Sequence, residues 1–230
     1  MKKYLFIFCV ALLGGCAEFQ NLSKAATAIA EYAGTSDVTV GTSNFASTNK
    51  GSKESFKIVM KNVPQIDKNS YNPELLASYS AKILYDNLSD EERAEREVID
   101  VQIVSQSRTV EYRYKQEDLK AVEKYAEVSK AFFSNLKTKQ YDKMYDDFVD
   151  TTAFPKQAFV TDFVGALVAK NESVFADIVA LEFTGFHVGE FKGKSLFEVV
   201  IFGKLKNGQH LTMLARFLKG SDKVVGLKID

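Results

Sequence analysis

The segment LFEVVIFGKLKNGQHLTMLARFL, residues 196–218, consists of two apolar runs joined by the dipeptide Asn207-Gly208. Asn-Gly between alternating apolar residues is the strongest short-range signal for a β-hairpin with a two-residue turn. We therefore expect two antiparallel strands in which the numbers of facing residues sum to 415, as those of Lys206 and Gln209 do. This hairpin organises the C-terminal part of the chain.

In that register both faces of the hairpin are largely apolar. One face is expected to carry Val200, Phe202, Leu211, Met213, Ala215 and Phe217, with Glu198 and Lys204. The other is expected to carry Phe197, Val199, Ile201, Leu205, Leu214 and Leu218, with His210, Thr212 and Arg216. A sheet with one face in water should alternate apolar and polar residues. We therefore expect the second face to be covered by residues 54–115, by a second copy of the chain or by another protein.

Helical periodicity precedes the hairpin. From about Glu117 to Leu167, apolar residues recur at the spacing of amphipathic helices. Strand-like runs follow near 178–188, 196–205, 211–218 and 224–229. We predict an α+β fold for residues 117–230, in which helices pack on a curved antiparallel sheet.

The order of helices followed by strands, closing with GSDKVVGLKI (220–229), resembles the cone-shaped domains of the nuclear transport factor 2-like superfamily. The resemblance covers about residues 117–230. Small secreted bacterial versions often end in a Gly-x-Trp-x-Ile-type strand, whereas this chain has Val224 or Val225 there and contains no tryptophan. The superfamily includes enzymes, ligand-binding pockets and assembly modules, so the resemblance implies a fold and leaves the activity open.

A smaller module with the order β-α-α-β-β is expected over residues 54–116. SFKIVM (55–60) has the composition of a strand, and VIDVQIV (98–104) and TVEYRY (109–114) alternate apolar and polar residues. Asn72 followed by Pro73 predicts the start of one helix. The spacing of Ser89 and Glu92 is that of a capping box and predicts a second.

The first 16 residues, MKKYLFIFCVALLGGC, have the pattern of a secretory signal peptide: two lysines, ten apolar residues and then small residues. Ten apolar residues are too few for a membrane-spanning helix, which needs about 20. The sequence Leu-Gly-Gly-Cys resembles the lipobox of bacterial lipoproteins. The resemblance implies removal of residues 1–15, diacylglycerol on the Cys16 thiol and acylation of the new amino group. Ala17 rather than Asp after the cysteine implies delivery to the outer membrane, facing the periplasm or the cell surface.

Residues 34–55 contain Gly, Ser, Thr or Asn at 14 of 22 positions. Such a composition buries too little apolar surface to offset the entropy of ordering the chain. We therefore predict a tether over residues 16–53, in which 17–33 form a short helix. A stray strand over 37–40 and a long surface loop are the alternatives for residues 34–55.

Cleavage before Cys16 would also remove Cys9, so the mature body would contain neither a disulfide nor a cysteine metal site. It would retain 28 basic and 30 acidic residues, a net charge of −2. This balance argues against nucleic-acid binding.

The residues suited to catalysis are few. The two histidines, His187 and His210, have no second ligand at metal-binding spacing, and no His-Glu-x-x-His, phosphate loop or Gly-x-Ser-x-Gly motif is present. We predict no catalytic residue, no metal and no cofactor. Arg216, expected on the same face as His210, is a candidate for holding an anionic group.

The sequence favours a non-catalytic, lipid-anchored envelope protein that binds another envelope component or a second copy of itself. The binding candidates are His187, His210, Arg216, Phe197 and Phe202. A second hypothesis is a carrier that encloses an apolar ligand among Phe159, Phe163, Phe197 and Phe202. A third is an envelope enzyme that uses His187 with Asp177, Glu182 or Tyr141 as an acid/base pair.

Overall fold

The computed structural model describes residues 2–45, 53–67, 72–148, 155–169 and 172–230. The chain forms two compact units, Met1–Leu119 and Lys120–Asp230. Each unit combines helices with a four-stranded sheet. The predicted α+β fold class is therefore confirmed, and the units divide three residues after the predicted boundary at residue 116.

The first unit is built on a mixed sheet of order β1-β2-β3-β4, in which β2 and β3 are parallel and the other pairs are antiparallel. From β2 onwards the described elements follow the predicted order β-α-α-β-β. The elements are α1 (Lys2–Ala33), β1 (Val38–Phe45), β2 (Lys53–Lys61), α2 (Pro73–Asn87), α3 (Asp90–Glu95), β3 (Val98–Val104) and β4 (Thr109–Lys115).

Local signals account for the helix starts in this unit. The Asn72 side chain accepts a hydrogen bond of 3.0 Å from the backbone N–H of Glu74, and Pro73 occupies the first helical position of α2. At α3, Ser89 and Glu92 form both hydrogen bonds of a capping box. These caps satisfy backbone donors that the first turn of a helix leaves unpaired.

Residues 18–45 belong to the folded first unit, which corrects the predicted tether over residues 16–53. Ala25, Ile29 and Ala33 of α1 are at most 1% exposed, and β1 pairs with β2 along its whole length. The composition argument was wrong here because it counted only the apolar surface of the segment itself. A polar strand added to an existing sheet gains backbone hydrogen bonds from its neighbour. Residues 46–52 of the predicted tether lie outside the described residues.

The second unit contains a purely antiparallel sheet of order β5-β6-β7-β8. Its described elements confirm the predicted succession of helices and then strands. They are α4 (Gln116–Lys137, in this unit from Lys120), α5 (Tyr141–Asp146), α6 (Lys156–Ala158), a π-helical turn (Phe159–Val164), α7 (Gly165–Ala169), α8 (Glu172–Ala176), β5 (Ile178–Phe191), β6 (Lys194–Leu205), β7 (His210–Leu218) and β8 (Val224–Ile229).

Helix α4 packs on the second sheet through Tyr125. The ring of Tyr125 stacks on Phe217 with 4.6 Å between centroids and contacts Phe197 at 5.2 Å. Its hydroxyl accepts a hydrogen bond of 3.1 Å from the backbone N–H of Gly220. The apolar ring is thus buried against the sheet while the polar tip is paired, as a buried tyrosine requires.

The β6–β7 hairpin forms as predicted, but its loop has three residues instead of two. The backbone N–H of Leu205 donates to the carbonyl of Gln209 at 2.8 Å, and the N–H of Gly208 donates to the carbonyl of Leu205 at 2.9 Å. Gly208 has φ +83°. This is a type I turn followed by a left-handed residue, the usual form of a three-residue hairpin loop. Facing residue numbers therefore sum to 414, as in the pair Glu198 and Arg216.

The shift of one residue changes which side chains share a face, because side chains alternate along a strand. One face is buried and apolar; it carries Phe197, Val199, Ile201, Leu211, Met213, Ala215 and Phe217. The opposite face is mixed and, apart from buried Val200, partly exposed; it carries Leu196, Glu198, Val200, Phe202, Thr212, Leu214, Arg216 and Leu218. We call this second set the half-exposed face. The predicted membership of the two faces was therefore wrong, although apolar residues occupy five of the eight positions of the half-exposed face.

The loop geometry predicts that Gly208→Ala lowers the free energy of unfolding by about 1 kcal/mol, because a side chain disfavours the left-handed conformation. A Cβ at Gly208 would have no atom within 4 Å, so backbone strain alone is tested. Gly41→Ala is the matched control, since Gly41 also has open space and lacks a positive φ. Urea denaturation of both variants measures the difference. Equal stability of the two variants would contradict the three-residue loop.

Candidate functional site

Four of the five predicted binding residues lie together on the half-exposed side of the second sheet. Phe202 and Arg216 are part of the half-exposed face, and His187 and His210 border it on β5 and β7. The ring of His210 stacks on Phe202 with 5.6 Å between centroids. Phe197 is fully buried on the opposite side of the sheet, so its assignment to a binding surface was wrong.

The centre of the half-exposed face is a charged row that crosses three strands. His187, Glu198 and Arg216 are successive register partners on β5, β6 and β7. The Nε of Arg216 donates to Oε1 of Glu198 at 2.5 Å. This charge-assisted hydrogen bond holds the guanidinium and the carboxylate against the sheet.

Two glycines leave room for the side chains of this row. A Cβ at Gly226 would lie 3.2 Å from Cδ of Arg216, and one at Gly189 would lie 3.2 Å from Nε2 of His187. Both distances are shorter than ordinary van der Waals contact. The arginine stem therefore lies flat over β8, and the imidazole lies flat along β5.

The residue opposite His187 in the strand register is not one of the three that the sequence suggested. It is Glu198, which already accepts a hydrogen bond from Arg216. Asp177, one of the suggested acids, forms an ion pair with Lys206 at 2.9 Å. The sequence did not reveal Glu198, because a hairpin in which the numbers of facing residues sum to 415 places Arg216 opposite Val199. Within the described residues, no group of three or more His, Cys, Asp or Glu side chains is placed to hold a metal ion.

The four phenylalanines assigned to an apolar pocket do not line one cavity. Phe159 and Phe163 stack on each other at 5.4 Å and both contact Phe148. Phe197 and Phe202 are five residues apart on β6 and therefore point to opposite sides of the sheet. This alternation alone contradicts the predicted pocket among the four phenylalanines.

The second unit does contain a cavity of about 500 Å³ elsewhere. It lies between the end of α4, α5, α7 and α8, and its lining includes Leu136, Tyr141, Val168 and Phe175. Its volume is within the range of small-molecule sites. Lys137 and Lys139 contribute to the same lining.

The open side of the first sheet is polar and internally paired. Arg113 donates two hydrogen bonds to Asp100, at 2.6 and 3.1 Å, and this contact raises the pKa of Arg113. Gln102 donates to Glu111 at 2.7 Å. These pairings give the surface the character of a solvated sheet face.

A second notable cluster surrounds Arg96, where the first unit contacts α1 at Glu18. The Arg96 side chain is 10% exposed, and its guanidinium stacks on the Phe56 ring at 4.7 Å. It pairs with Glu95 at 2.8 Å, Glu54 at 3.4 Å and Glu18 at 3.7 Å. One buried arginine therefore joins α1, β2 and the end of α3; we call this set of contacts the Arg96 clamp.

A second tie reinforces the clamp one turn further along α1. The Asn21 amide donates to Oε2 of Glu92 at 3.0 Å. The same carboxylate oxygen accepts the backbone N–H of Ser89 in the α3 capping box. These contacts hold α1 against the rest of the first unit at Glu18 and Asn21. Glu18 lies two residues after Cys16. The Ala25, Ile29 and Ala33 spacing was the sequence signal that could have revealed this packed helix.

No protein-family model, curated protein or solved structure shows a significant match to the chain. None of the helices in the described part of the chain is long and apolar enough to cross a membrane. The resemblances to lipoprotein signal peptides and to the nuclear transport factor 2-like superfamily stay predictions.

Proposed function

We propose that this protein is a lipid-anchored component of a bacterial cell envelope that works by binding and not by catalysis. The anchor is Cys16, acylated after removal of residues 1–15, and Ala17 favours the outer membrane. The observation that carries the proposal is the position of Cys16. It follows a signal-peptide pattern directly, and Glu18, two residues later, pairs with the buried Arg96 of the first unit.

The half-exposed face is the proposed binding surface for another envelope component or for a second copy of the chain. Apolar side chains surround the paired Glu198 and Arg216; they are Leu196, Val200, Phe202, Leu214 and Leu218. Protein interfaces are enriched in aromatic residues and arginine, and this face offers Phe202 and Arg216. The pairing of Glu198 with Arg216 also leaves it poorly suited to serve His187 as a proton acceptor, which supports a non-catalytic role.

The anchor proposal predicts opposite behaviour of the two cysteines. Protein extracted from membranes should have the intact mass of residues 16–230 plus acyl chains. Cys16→Ala should abolish both processing and the added mass, because it removes the acyl acceptor. Cys9→Ala, the matched control inside the removed segment, should be processed and acylated normally. Intact mass spectrometry decides the matter, and a wild-type mass without acyl chains would refute the anchor.

The binding proposal predicts a position-dependent cross-link in intact cells. A photo-reactive phenylalanine analogue at Phe202 should form a covalent adduct with a partner, because that ring lies on the half-exposed face. The same analogue at Tyr32, an exposed aromatic position in the first unit, serves as the control. Gel electrophoresis and mass spectrometry identify the adducts. Absence of an adduct at position 202, or identical adducts from both positions, would contradict the proposed surface.

A further inference from the structure

Phe19 is the most exposed of the large apolar side chains in the described part of the chain. It is 74% exposed, compared with 54% for Val179, 52% for Phe191 and 37% for Tyr32. Phe19 lies in α1, one helical turn after Cys16. Among these four exposed side chains, Phe19 is therefore also the nearest in sequence to the proposed lipid anchor.

Helix α1 has two distinct sides over this region. Ala25, Ile29 and Ala33 form the buried side. The exposed side is formed by Phe19, Gln20, Ser23, Lys24 and Thr27. Phe19, Gln20, Ser23 and Thr27 follow Cys16 by 3, 4, 7 and 11 residues, the spacing of a single helical face. Position 16 thus has the helical register of the exposed side.

Contacts made by residues before and after Phe19 fix its position in the first unit. Glu18, the preceding residue, pairs with Arg96 at 3.7 Å, and Asn21 donates to Glu92 at 3.0 Å. The backbone between these two ties is helical. Phe19 therefore cannot turn inwards without breaking the Arg96 clamp or the contact of Asn21.

The distance from the anchor to Phe19 is short. Three residues of α-helix correspond to about 4.5 Å along the helix axis. Interfacial helices bury their apolar side chains about 5–10 Å deep at the boundary between headgroups and acyl chains. Acyl chains on Cys16 would therefore hold Phe19 within reach of that boundary.

We propose that Phe19 is a second, non-covalent membrane contact whose ring inserts into the interfacial region of the bilayer. This inference rests on the lipid anchor proposed above. The ligand is the lipid surface itself. The covalent chains and the phenyl ring together hold the exposed side of α1, and with it the first unit, against the membrane.

The absence of tryptophan from the chain allows a direct test. Phe19→Trp and Tyr32→Trp each introduce a single fluorophore into α1, and position 32 lies about 20 Å further along the helix axis. Both variants are purified as the acylated product, residues 16–230. They are then reconstituted into vesicles of phosphatidylethanolamine and phosphatidylglycerol, with or without brominated acyl chains.

The expected result is a blue-shifted emission at position 19 that brominated lipids quench, together with unquenched emission at position 32. Intact mass spectrometry first establishes that both variants carry acyl chains. Acylated protein with unquenched emission at position 19 would overturn the insertion of Phe19 and leave the anchor standing. Equal quenching at both positions would also overturn it. A mass without acyl chains would overturn the anchor and the insertion together.

Discussion

The buried guanidinium of Arg96 is the contact on which the arrangement of the first unit depends. Its three glutamate partners are between 37% and 59% exposed, and exposed ion pairs contribute only about 0–1 kcal/mol each. The arginine itself is 10% exposed. A buried charge that loses its partners costs several kcal/mol, so the stabilisation lies mainly in keeping this charge compensated. Glu18, Glu54 and Glu95 supply that compensation from three different segments, and the segments are thereby held together.

This constraint changes how the proposed lipid anchor would act. A flexible tether would let the folded units move freely over the membrane, whereas a clamped helix fixes the first unit close to Cys16. The first unit then has a preferred side towards the lipid, and Phe19 lies on the exposed side of α1 next to the anchor. The half-exposed face belongs to the other unit, so the proposed membrane attachment and the proposed partner binding use separate parts of the chain.

The fold class and the element order could be predicted from the sequence because they depend on local signals. The caps at Asn72 and Ser89 act within one helical turn and were read correctly. The hairpin register was wrong by one residue, because Asn207-Gly208 fits both a two-residue loop and the end of a three-residue loop. That error placed Arg216 opposite the wrong residue and hid its pairing with Glu198. Residues 34–45 were misjudged because their order comes from a neighbouring strand, which a composition count cannot include.

The central claim is that α1 and β1 are packed in the first unit and do not form a tether. Amide hydrogen exchange on the acylated protein in detergent tests it most directly. A helical segment as short as residues 25–33 is marginal in water when isolated, so protection of its amides requires packing against the unit. The account predicts that amides between Ala25 and Ala33, and those of β1, exchange as slowly as those of β3. Exchange of this segment at the rate of an unstructured chain, while β3 stays protected, would contradict the account and restore the tether.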